Sequence, residues 1–93
     1  MSDKVNLIIG YEARNYITYP DMHVYIKGRE FTVEIHKTIT ITMDKGEYDI
    51  LIKSSIRSKK YHLVMDGNKQ LQLGWNRLWG TITVKEIVSH FEI

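Results

Sequence analysis

Four histidines, His23, His36, His62 and His90, are the side chains of this sequence best suited to ligating a metal or relaying a proton. Their spacing supports neither use. No two lie three or four positions apart, the separation that places two imidazoles on one helical face, and the absence of cysteine leaves no thiolate to complete a zinc set. Asp44, Glu47 and Asp49 crowd one turn and offer oxygen ligands for a weakly held cation, yet short polar residues are also what a tight turn requires. Ser54, Ser55 and Ser58 come without the Gly-x-Ser-x-Gly elbow or the Ser-x-x-Lys spacing that would activate a nucleophile. Neither the P-loop nor the dinucleotide-binding glycine pattern occurs. The expectation is a protein that is not an enzyme, with no catalytic residue, no cofactor and no metal.

Binding chemistry has more to work with. The segment Lys53-Ser54-Ser55-Ile56-Arg57-Ser58-Lys59-Lys60 holds four cations and no acid. If the Asn76–Gly80 break comes to the same end of the molecule, Arg77 adds a further cation, and Trp75 or Trp79 adds a stacking surface of the kind single-strand nucleic-acid binders use. The plainer expectation is that a charged connection is simply solvated, Trp75 continues the Leu71-Leu73 core face and Trp79 plugs a core end. The candidate binding surface is therefore Lys53, Arg57, Lys59, Lys60, Arg77 and Trp79.

The elements that would carry these residues are strands, because hydrophobicity recurs with period two almost throughout. Val5, Leu7, Ile9 and Tyr11 define a first strand, and Met22, Val24 and Ile26 a second. Residues 12–21 lack alternation and hold the single proline, so they read as a loop whose Tyr16, Ile17 and Tyr19 cover a core edge. Lys27-Gly28-Arg29-Glu30 turns into Phe31, Val33 and Ile35. Ile39, Ile41 and Met43 alternate with threonines, Asp44-Lys45-Gly46-Glu47 breaks the run, and Tyr48, Ile50 and Ile52 resume it. After a polar connection over 54–60 come Tyr61, Leu63 and Met65, a turn at Asp66-Gly67-Asn68, and then Leu71, Leu73 and Trp75. Ile82 and Val84 mark a last strand, and 85–93 reads as its continuation with a slip in phase, or else as one to two helical turns with Ile87, Val88 and Phe91 on a common face. The other phase of these strands, including Asn6, His23, Tyr25, Thr40, Asp49, His62 and Gln72, forms the solvated faces.

Seven to eight short strands with frequent turns and no helical crossovers define the expected fold as all-β. Residues 1–93 form a single small antiparallel β-sandwich or partly open barrel. A chain of 93 residues has room for one core, and 43% hydrophobic with 26% charged residues places it among folding rather than disordered chains. A net charge of +2 is too small to argue for nucleic acid without a concentrated patch. No stretch approaches the length needed to cross a bilayer, no targeting segment precedes Val5, and the lack of cysteine suits a reducing compartment, so a cytoplasmic protein with no membrane partner is expected.

The run Val24-Tyr25-Ile26-Lys27-Gly28, followed by Thr38-Ile39-Thr40-Ile41-Thr42-Met43-Asp44-Lys45-Gly46-Glu47-Tyr48-Asp49-Ile50-Leu51-Ile52, resembles the layout of PEGA-type and related small β-sandwich modules. The resemblance spans about a third of the chain. It implies a non-catalytic accessory or interaction module and carries over no site residues. Two function classes follow. The first is a protein-protein interaction module that blocks a partner or self-associates as a homodimer, since six tyrosines and free sheet edges offer amphipathic surface. The alternative is anion or nucleic-acid binding through the basic 53–60 loop with tryptophan stacking. Carbohydrate binding on aromatic platforms is held in reserve.

Overall fold

A computed structural model describes residues 4–13, 19–76 and 78–87. Eight strands account for the regular structure of these residues: β1 (Lys4–Tyr11), β2 (Met22–Ile26), β3 (Arg29–Val33), β4 (Thr38–Asp44), β5 (Gly46–Ser54), β6 (Arg57–Met65), β7 (Lys69–Trp75) and β8 (Ile82–Ile87). They form two four-stranded sheets, β4-β1-β7-β8 and β3-β2-β5-β6, stacked as a sandwich. Pairing is antiparallel except between β1 and β7, which run parallel with Ile9 opposite Leu71. No helix among the described residues is long and apolar enough to cross a membrane.

The period-two pattern is realised strand by strand. Val5, Leu7, Ile9 and Tyr11 point inward from β1, and every other strand contributes at least one buried hydrophobic residue, from Met22 on β2 to Ile82 on β8. Each such side chain stabilises by about 1.5–3 kcal/mol on burial. β1 and β7 occupy the middle of their sheet, and β1 takes its place through an apolar run, Leu7-Ile8-Ile9, with a glycine at Gly10. A Cβ on Gly10 would lie 3.3 Å from the Thr38 methyl, because the side chains of β4 and β7 close over that position.

Turns end the hairpins where the sequence supplies their residues, more tightly than the sequence reading placed them. Lys27 (φ 50°) and Gly28 (φ 76°) form a two-residue turn with both central residues left-handed, the type I′ geometry that matches strand twist. β5 and β6 are likewise joined by Ser55 and Ile56 alone. The expected polar loop over 54–60 is therefore a hairpin. Its cations belong to a ladder in which Ser54 pairs with Arg57 and Lys53 with Ser58, because serine and lysine backbones pair as readily as any once the turn is set. The last strand is described as far as Ile87, and 88–93, with His90, lies outside the described residues, as do Tyr16 and Ile17 of the first loop.

Candidate functional site

One end of the sandwich carries Tyr11, Tyr19 and Trp75 and the most exposed apolar residues, Ile56, Leu78 and Trp79. There β1, β5 and β7 finish and β2, β6 and β8 begin, so the 12–21, 55–56 and 76–81 connections share that end. The opposite end holds Lys27-Gly28, Lys45 and Asp66-Gly67-Asn68, all short and polar.

A fixed aromatic layer closes the core at the first end. Trp75 Nε1 donates to the Tyr11 hydroxyl at 2.7 Å, and that hydroxyl donates to the Pro20 carbonyl at 3.0 Å. Tyr19 stacks on Trp75 with ring centroids 6.1 Å apart. Burial pushes the Tyr11 phenol above its ordinary range, although the hydrogen bond from Trp75 acts the other way. Ser54 is buried and its Oγ donates to the Asp21 carbonyl at 2.8 Å, tying the returning loop to the end of β5.

Around this layer, the 76–81 connection displays side chains rather than burying them. Asn76 Oδ1 accepts from the amides of Leu78 and Trp79 at 2.9 and 3.1 Å, and Gly80, left-handed at φ 66°, returns its amide to the Asn76 carbonyl at 2.7 Å. This local wrap occupies the amides of Leu78, Trp79 and Gly80 while leaving Leu78 82% and Trp79 70% exposed. Ile56, at the second position of the β5–β6 turn, is 91% exposed, since a tip residue has no core to reach. The guanidinium of Arg57 lies against Gly80, 3.8 Å from where a Cβ would sit, so the hairpin and the 76–81 loop meet. Between them runs an open groove of about 430 Å³ lined by Ile56, Arg57, Ser58, Lys59, Thr81 and Ile82.

Of the six residues expected to form one basic and aromatic patch, the five described ones lie on two faces and a loop. Strand alternation divides the cations. Arg57 and Lys59 face the same side as buried Ser54 and Ile52, at the margin of the groove, whereas Lys53 and Lys60 lie on the outer face, where Lys53 Nζ sits 5.8 Å from the Tyr25 ring. Trp79 is at the groove end but exposed, not the core plug of the plainer expectation, and Trp75 is the tryptophan that packs. Arg77 lies outside the described residues. Leu78 and Ile56 did not enter the sequence-based surface. The signal available in the sequence is a lone large apolar residue, Ile56, in an otherwise polar connection; that it stands at a turn tip is seen only once β5 and β6 are paired.

The titratable clusters are local ion pairs. His62 accepts a place between two carboxylates, with Nδ1 2.8 Å from Asp49 and Nε2 3.1 Å from Glu47, and these contacts, Asp49 first, raise its pKa. Asp44 turns instead to Lys4 at 2.8 Å, which lowers its pKa, so the three acids of the β4–β5 turn do not converge. His36 pairs with Glu12 and His23 with Glu30. Among the described residues no three histidine or carboxylate groups are arranged to hold a metal ion. Searches of family models, of curated proteins and of solved structures return no match for this chain.

Proposed function

We propose that this chain is a non-catalytic protein-binding module that engages its partner through the end carrying Ile56, Leu78 and Trp79. The observation that carries the reading is the exposure of these three large apolar side chains, 70–91%, beside Arg57 and Lys59. An apolar centre with a basic margin fits a partner patch that is apolar within an acidic rim. The Trp75-Tyr11-Pro20 bonds and the Asn76 wrap hold the backbone beneath it, so little ordering is left to binding. We place the module in the cytoplasm, in keeping with a chain that carries no cysteine.

A second reading, anion or nucleic-acid binding, rests on one observation: among the described residues Arg57, Lys59 and Lys60 have no carboxylate partner. Capture from a cell extract separates the two. Proteins retained by the wild type after nuclease treatment, lost with a Leu78→Ser, Trp79→Ala double variant and kept by Lys45→Ala at the other end, are the expected outcome. Capture that the double variant leaves intact, or that depends on nucleic acid and falls steeply with salt, overturns it.

A further inference from the structure

The two sheets have four terminal strands, and three of them carry the charges that discourage pairing between chains. β3 has Arg29 and Glu30, β6 has Arg57, Lys59 and Lys60, and β8 has Lys85 and Glu86. β4 differs. From Thr38 to Met43 it reads Thr-Ile-Thr-Ile-Thr-Met, six residues of high β-propensity without charge, proline or glycine, and its first acid, Asp44, is held by Lys4. β1 fills one side of β4, and no strand among the described residues lies on the other.

We infer that β4 is the self-association edge of the protein, pairing antiparallel with β4 of a second copy about a two-fold axis to give one continuous eight-stranded sheet. Charge selects the occupant. A run without charge meets no repulsion from its own copy, whereas β6 against β6 would oppose cations to cations. Register agrees with symmetry. Residues facing each other across an antiparallel pair lie on one side of the sheet, so one residue must face its own copy across the axis, and Thr40 or Ile41 stands at the middle of the run. Either choice keeps Thr38, Thr40 and Thr42 on the outer face and Ile39, Ile41 and Met43 on the inner one. Away from the Lys4–Asp44 pair at the far end of β4, the joined outer face carries little charge, since Asn6, Ile8, Gln70 and Gln72 continue it and Lys85 lies three strands from the edge. Half-buried Phe31 and Ile39 beside the edge gain cover from the second copy.

This inference stands on a different surface from the apolar end, and its test needs no partner protein. Light scattering over a dilution series is expected to give a mass rising to twice the 11.0 kDa of one chain. Thr40 is exposed, so Thr40→Lys and Thr40→Glu are each expected to fold, as circular dichroism would verify, and to remain single at all concentrations. Mixing the two variants restores the doubled mass, because opposite charges then meet at the axis, directly or on the diagonal. Thr83→Lys, on the outer face of β8, leaves association unchanged. A wild type that stays single throughout, a doubled mass that Thr40→Lys does not alter, or a mixture that fails to associate would each overturn the inference.

Discussion

Tyr11 and Trp75 share one hydrogen bond across the end of the core, and the Tyr11 hydroxyl passes a second to Pro20. Tyr11→Phe keeps the ring and removes both, so a loss of about 1–2 kcal/mol is expected in urea denaturation. His62 gives a pH signature. Its folded pKa lies above that of a free imidazole, so its contribution is fully present below about pH 6.5 and is lost as pH rises through the folded value. The stability difference between wild type and His62→Gln is thus expected to be larger near pH 6 than near pH 8, and an NMR titration should place the His62 midpoint above 6.5. Tyr61 behaves alike at the alkaline end. Burial, then its hydrogen bond to Glu86, pushes the phenol up to about 12, and what it contributes disappears as pH rises from about 10 through that value. These partners were not legible in the sequence, because Asp49 meets His62 and Glu86 meets Tyr61 only once the strands are in register.

At the scale of elements, the β5–β6 turn is the most exposed to improvement. Ser55 sits at φ 56° without the glycine that a first turn position of this hand favours. Ser55→Gly relieves that strain and gives back part of it as unfolded-chain entropy, so a gain of about 0.5 kcal/mol is expected, read as a higher urea midpoint with unchanged slope. The strands themselves were plain in the alternation of Val5, Leu7 and Ile9 or of Tyr48, Ile50 and Ile52, and their hairpins in the glycine turns. The polar stretch after Ile52 concealed a strand, since an edge strand beyond the core needs no apolar residues to pair. Its serines and lysines look like a loop until β5 is alongside. Exposure of Trp79 was equally hidden, for a tryptophan beside a glycine turn packs or projects according to where the neighbouring hairpin ends.

For the whole molecule, the division of eight strands into two sheets was the least legible feature, because alternation marks a buried face without naming the strand beside it. Nothing local in Leu71 announces Ile9 as its neighbour. Both sheets share a single core, so a deletion in it is felt globally: Leu71→Ala, at a fully buried site, is expected to cost about 3 kcal/mol, a large part of the stability usual for a small domain. The parallel pairing of β1 with β7 also sets an order in time. During synthesis β2, β3, β5 and β6 can complete their sheet while β7 is still unmade, and β1 must wait, its second side open, until β7 follows them. Refolding limited by that late encounter is expected to take milliseconds to seconds in stopped-flow measurements, and the waiting β1, rich in valine, leucine and isoleucine, is where a nascent chain is most in need of a chaperone.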